Sequence, residues 1–277
     1  MALKFGLAIP SNEARRVARL AQAAEEAGWD GIFLGDYIWC EDPMIALAAA
    51  AMITRRIKLG TMVIPVPLRD PWKLASESLA LDRLSDGRLI LGLGTGAVWM
   101  GWQCAPDAVK EPRVRAEMLD ETIDILTLLY HGKPFDYEGK HYRLRLTQMD
   151  EMHYPAKPVQ QPRIPLWAPL IWPKKGSMAR ILKCDGLFPE TRGPDGQARE
   201  TTPDDLRAMK DFIAANRALD TPFDIVASGK TAGMSPVRRQ DMLSLWAEAG
   251  ATWWIEGLWG EAEDAAAERI RQGPLGD

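Results

Sequence analysis

Arg88-Leu-Ile-Leu-Gly-Leu-Gly-Thr-Gly96 is a continuous apolar run that empties into three closely spaced glycines. Such a run suits a strand buried on both faces, as in a parallel sheet. Glycines at its end let bare backbone come close to a neighbour, and the expected neighbour is a flat or phosphorylated ligand. Gly92, Gly94 and Gly96 are spaced G-x-G-x-G and no helical pattern starts directly after them, so the dinucleotide fingerprint is not implied. Outward from this stretch, short apolar runs alternate with amphipathic ones along the whole chain, which is the pattern of repeated βα units. The candidate strands are Lys4–Pro10, Gly31–Asp36, Ile57–Val66, Arg88–Gly94, Pro165–Leu170, Asp185–Pro189, Phe223–Ser228 and Thr252–Glu256. Eight such units predict an α/β fold, a closed (β/α)8 TIM barrel formed as a single domain over residues 1–277.

The intervening helices carry their own punctuation. Asn12–Ala27 ends at Gly28, Asp42-Pro43 opens an alanine-rich helix to Thr54, and Asp70-Pro71 opens another that stops near Gly87. Further helices are expected near Val114–Tyr130, Lys174–Leu182, Pro203–Leu219, Pro236–Glu248 and Glu261–Arg271. Residues 132–164 break the period with several prolines and read as an excursion over the surface, placed to cover the site.

With 47% hydrophobic residues in 277, the chain can bury a large core. A formal charge of −4 without a long basic run argues against nucleic acid or anionic membrane as partner and leaves a small molecule. Met1 to Pro10 reads as a strand rather than a signal peptide, and no segment approaches the roughly 20 apolar residues of a membrane span. A cytoplasmic protein is expected. Cys40, Cys104 and Cys184 are few and far apart, which suits reduced thiols. His131, His141 and His153 lack metal-ligand spacing, so no metal site is expected.

Chemistry in such barrels gathers where strands end, and few residues there can move protons. Asp36 and Glu256 are the carboxylates of promise, but they come from strands two and eight, which a barrel closed in chain order does not make adjacent. No Ser-His-Asp or Cys-His set accompanies them. This poverty points to an organic cofactor; the rival reading is a cofactor-free lyase or hydrolase using Asp36 and Glu256. Trp39, Trp99, Trp102, Trp167 and Trp172 fall at or beyond mouth-facing strand ends and are candidates for an apolar substrate chamber, with Glu256 beside them.

Several longer stretches resemble the bacterial luciferase-like superfamily, whose barrels use FMN or the deazaflavin coenzyme F420. They are Ala24-Glu-Glu-Ala-Gly-Trp-Asp-Gly-Ile-Phe-Leu-Gly-Asp36, Arg56-Ile-Lys-Leu-Gly-Thr-Met-Val63 with Pro71-Trp72, and Leu81-Asp-Arg-Leu-Ser-Asp-Gly-Arg88 running into the opening motif. Glu117-Met-Leu-Asp-Glu121, Tyr137-Glu-Gly-Lys-His-Tyr142, Cys184-Asp-Gly-Leu-Phe-Pro189 and Ala249-Gly-Ala-Thr-Trp-Trp-Ile-Glu256 extend the likeness nearly end to end. The resemblance implies a flat ring at the C-terminal mouth, backed by a non-proline cis peptide at Met62–Val63. Thr95 and Gly96 would approach the ring or its ribityl chain, Ala8 and Ala168 would complete its surroundings, and Ser228, Gly229, Lys230 and Thr231 would hold the phosphate. Asp36 either bonds the ring or substrate or caps the loop entering Asp42-Pro43, and Tyr37 is either a donor over the ring or a packed phenol.

Two departures stand out. Relatives often carry Asp-His where this chain has Asp36-Tyr37, and Ala-Gly or Gly-Gly where it has Ala168-Pro-Leu-Ile-Trp172. The activity implied is oxygen insertion with FMN, reduced by a separate reductase, or reversible hydride transfer with the deazaflavin. A non-catalytic flavin-binding protein is the remaining alternative. The small-residue helix Met44–Met52, together with the habits of relatives, implies a homodimer.

Overall fold

Eight parallel strands pair in chain order, and the last pairs with the first. They are β1 (Lys4–Ile9), β2 (Gly31–Leu34), β3 (Lys58–Thr61), β4 (Leu89–Gly94), β5 (Leu166–Trp172), β6 (Gly186–Arg192), β7 (Asp224–Gly229) and β8 (Trp253–Gly257). The computed structural model describes residues 2–10, 13–101, 104–105 and 108–275. The eightfold closure read from the alternating pattern is therefore the observed architecture, a (β/α)8 barrel.

The helices that return the chain are α1 (Ala14–Glu26), α2 (Pro43–Ile53), α3 (Pro71–Leu84), α4 (Pro112–Tyr130), α5 (Lys175–Ile181), α6 (Pro203–Asn216), α7 (Pro236–Ala249) and α8 (Glu263–Arg271). Proline opens α2, α3, α4, α6 and α7, where a missing N–H costs nothing because the first turn has no acceptor for it. Asp42 caps α2 by accepting from the Met44 amide at 2.7 Å, and Thr202 and Asp205 form a reciprocal capping box on α6.

Large aromatics plug the barrel interior. Phe33 stacks on Trp167 with centroids 5.4 Å apart, and Trp253 meets both rings edge-on at 5.6 Å. Strand neighbours make room by having no side chain: a Cβ on Gly186 would sit 2.5 Å from the Trp167 indole. Trp167 thus belongs to the interior, correcting its expected place in a substrate chamber. The reason is volume, since an eight-stranded barrel is filled by side chains.

The polar residues of the recurring motifs tie the opposite, N-terminal end together. Glu25 accepts from the Arg55, Arg56 and Ile57 amides at 2.5–3.0 Å. Asp185 is clasped by Arg163 at 3.0 Å and Arg217 at 3.1 Å and accepts from the Leu166 amide. The excursion forms a hairpin of Asp136–Glu138 with Arg143–Arg145. Glu121 on α4 accepts the Lys140, His141 and Tyr142 amides, while Asp82 on α3 accepts those of Val159 and Gln160. The excursion therefore lies along α3 and α4, and none of its described residues lines the cavity at the C-terminal mouth of the barrel, which corrects the expectation that it covers the site.

Candidate active site

The third strand does not run unbroken from Ile57 to Val66. Gly60 pairs with Ile90, yet Ile64 pairs with Leu93, so four steps along one chain match three along the other. The extra residue makes a bulge, and within it the Met62–Val63 peptide is cis, as expected. Thr61 bridges the gap: its hydroxyl donates to the Gly92 carbonyl and accepts from the Gly92 amide, both at 2.9 Å. A Cβ on Gly92 would collide with the Thr61 carbonyl, and one on Gly94 with the Val63 side chain. The backbone that the glycine motif admits at Gly92 and Gly94 is the protein's own bulge, and only Gly94 and Gly96 of the three also face the cavity.

That cavity, about 590 Å³, opens at the C-terminal ends of the strands, a size ordinary for organic ligands. Met62 and Val63 meet Gly94 and Thr95 there, Pro169 comes from β5 and Glu190 from β6, and Trp99 and Trp259 stand at the rim, 80% and 40% exposed. Asp36 and Tyr37 enter from the end of β2.

Asp36 is not a free carboxylate. Arg69 donates to its Oδ2 from Nη2 at 2.9 Å and Nε at 3.2 Å, and the same guanidinium reaches Asp42 at 2.8 Å and Glu77 at 3.3 Å. The Cys40 thiol adds a contact to Oδ1 at 3.6 Å. Burial pushes the Asp36 carboxyl up, with Arg69 pulling the other way. Desolvation lowers Arg69, but the Asp36 and Asp42 charges outweigh it and hold the guanidinium charged. The sequence reads Arg69 as a surface or ion-paired arginine, and the structure makes it the ion-pair partner of Asp36. It stands just before the Asp70-Pro71 helix start, a position with no motif to mark it.

Other predicted residues lie elsewhere. Glu256 is fully buried outside the barrel wall: it accepts from the Thr231 amide at 2.7 Å, the Thr231 hydroxyl at 2.9 Å and the Trp254 indole at 3.2 Å, and pairs with Arg269 at 3.4 Å. Side chains alternate along a strand; Trp253 and Ile255 face inward, so Glu256 must face out. That separates it from Asp36 and removes the paired acid and base. It also takes the Thr231 amide expected to help cradle a phosphate, together with the neighbouring Ala232 amide, and Lys230 pairs with Glu261. Neither these residues nor Ser228 and Gly229 line the cavity. Ala168 is buried on the helix side and Ala8 lies in the interior cluster beneath the mouth. Trp172 packs on Phe212 of α6 at 5.9 Å, and Trp39 is 75% exposed and away from the cavity lining. Trp102 lies outside the described residues. The same alternation supplies the missed residues, because Pro169 and Glu190 each stand two positions beyond an inward ring, Trp167 and Phe188. Among the described residues no His, Cys, Asp and Glu group is suited to hold a metal, and no helix is long and apolar enough to cross a membrane.

The family model for luciferase-like monooxygenases matches residues 4–232. The chain belongs to that family. This luciferase-like protein is 35% identical over 193 residues to a Mycobacterium tuberculosis protein that bears the name of a coenzyme F420-dependent oxidoreductase; the match takes in 67% of this chain and 52% of that protein, so the alignment spans about half the relative's length. Its fold is shared with the coenzyme F420-dependent tetrahydromethanopterin reductase of Methanopyrus kandleri (TM-score 0.72, 19% identity, 99% of each chain). It is shared also with the oxygenating constituent of 3,6-diketocamphane monooxygenase from Pseudomonas putida, solved with FMN (TM-score 0.63, 19% identity, 87% of this chain and 71% of that one).

Proposed function

We propose that this luciferase-like protein is an oxidoreductase that binds FMN or coenzyme F420 at the barrel mouth and acts there on a small organic substrate. The observation that carries this reading is the apolar cavity over the β3 bulge in a chain of this family. A flat heterocycle suits it: Met62, Val63 and Gly94 offer an uncharged shelf, and Thr95 and Tyr37 bring hydroxyls. Such a ring, when bound, supplies the redox chemistry, hydride transfer for the deazaflavin or oxygen insertion for reduced FMN. The chain's own residues do the rest. Met62 and Val63 bear one face, Gly96 leaves space for the ribityl chain, Asp36 is fixed by Arg69 as an acceptor at the edge, and Tyr37 holds a proton on its hydroxyl. Trp99 and Trp259 shield the rim from water. The anionic tail has no support at Thr231, whose amide Glu256 takes.

Titrating FMN and coenzyme F420 separately and following cofactor fluorescence tests this reading. Micromolar binding of one is expected, weakened by Val63→Asp; binding of neither overturns it. The single-domain barrel is further proposed to work in the cytoplasm with a separate reductase as electron source, in keeping with its free cysteines. A homodimer through α2 is proposed from Ile45, Met52 and Ile53, which are 66%, 61% and 45% exposed. Light scattering of wild type and Ile45→Arg measures it, a monomeric wild type being the refuting result.

A further inference from the structure

The mouth cavity has an unusual charge balance. Its ionisable lining residues are Asp36, Tyr37 and Glu190, and no lysine, arginine or histidine lines it among the described residues. Asp36 is ion-paired from outside the cavity with Arg69, which it shares with Asp42 and Glu77. Glu190 is different. It stands near the end of β6, opposite Ile171 in the register, and its carboxylate has no ion pair or hydrogen bond among the described residues. An unpaired carboxylate therefore stands in the cavity lining, exposed at the barrel mouth.

The aromatic content of the same lining is the second observation. Tyr37, Trp99 and Trp259 all contribute. The Trp259 ring lies over Gly35, where a Cβ would be 3.0 Å from its Cη2, so this indole leans over bare backbone at the end of β2. Rings carry negative potential on their faces, and a cation placed there is attracted by an amount that grows when water is excluded. An unpaired carboxylate and three aromatic side chains in one cavity lining, with no cation among the described lining residues, suit an alkylated ammonium group. It disfavours a carboxylate or phosphate ligand at the same spot, which would meet like charge and find no donor cation.

We propose that the cavity selects an organic cation, an alkylated ammonium group received by the Trp99, Trp259 and Tyr37 rings and neutralised by Glu190. This rests on the redox reading only in making that cation the substrate; the recognition itself is a property of the lining. The cation enters from the rim, where the two indoles are exposed, and the apolar shelf at Met62 and Val63 stays available to the flat ring.

Choline and its uncharged carbon isostere 3,3-dimethylbutan-1-ol are the probes, titrated calorimetrically into the full chain with and without FMN or coenzyme F420. Choline is expected to bind about tenfold tighter than the alcohol, a factor within reach of one ring contact and one opposed charge. Glu190→Gln should cut the preference for choline over the alcohol several-fold without changing alcohol or cofactor binding, and Trp259→Leu should weaken choline more than the alcohol. Equal binding of both probes to wild type overturns the proposal, as does a preference left unchanged by Glu190→Gln. An equal loss of cofactor binding in that variant overturns it too, since Glu190 then serves the ring. If neither cofactor binds wild type, the redox reading falls while the choline comparison still decides this one.

Discussion

Replacing Gly92 by alanine tests the bulge on which the site is built. The added methyl would lie inside contact distance of the Thr61 carbonyl oxygen, 3.1 Å from its carbonyl carbon and 3.2 Å from Phe188 Cε2. Backbone and a ring in the barrel interior are the obstacles, so no flexible side chain can swing away. Restoring a normal separation requires a shift on the order of 1 Å, while β3 is anchored on either side by its pairing at Gly60 and Ile64. The shift breaks both Thr61–Gly92 hydrogen bonds, now 2.9 Å each. At roughly 1 kcal/mol per bond and about 1–3 kcal/mol for overpacking, the cost is about 3–5 kcal/mol. For a chain of this size that lowers the melting temperature by about 6–10 °C. Thermal unfolding followed by circular dichroism measures it, with Gly176→Ala as control. Nothing lies within 4 Å of a Cβ at Gly176, which sits inside α5, so that change should stabilise by about 0.5–1 kcal/mol. A Gly92→Ala melting temperature within 2 °C or so of wild type would refute the claim that Thr61 closes over this glycine.

Glu256→Gln should destabilise by about 3–5 kcal/mol, because it leaves Arg269 buried without its charge partner; urea unfolding reports this, and cofactor titration by the refolded protein should be little changed. Burial works to raise the Glu25 carboxyl, but the Ile57, Arg56 and Arg55 amides outweigh it and hold the carboxyl below its ordinary value. Its folded value being depressed, the stability it adds is present above the unfolded value near about 4.3 and is lost as pH falls through the folded one. Glu25→Gln should therefore cost about 1–3 kcal/mol at pH 7, with the difference from wild type shrinking on acidification in denaturant melts; a pH-independent difference would contradict the charged clasp. Burial pushes the Cys184 thiol up to about 12, so iodoacetamide at pH 8 should label exposed Cys104 and spare Cys184 in the native protein, as peptide mass analysis would show.

The barrel was legible because its signals are local. Each strand is an apolar run, four of the helix starts read from the sequence carry proline, and eight such units in alternation have few other ways to close. The luciferase-like motifs were legible too, although several of their polar residues, Glu25, Asp82 and Asp185, hold the molecule together away from the mouth.

The composition of the rim depended on facts that no single stretch contains. Which residue of a strand end faces the mouth is a matter of parity, and parity is set by which neighbour the interior accepts. Trp167 and Phe188 point inward and thereby carry Pro169 and Glu190 to the cavity, while Ile255 turns Glu256 away from it. Pairings between distant positions were equally hidden: Arg69 bonds Asp36 across 33 residues, and Thr61 occupies the space above Gly92 across 31. The order of the amino acids determined that eight strands would close into a ring with glycine at the end of the fourth. The closed ring alone decided that the glycine receives a bulged neighbouring strand, because only there do segments remote in the chain compete for the same volume.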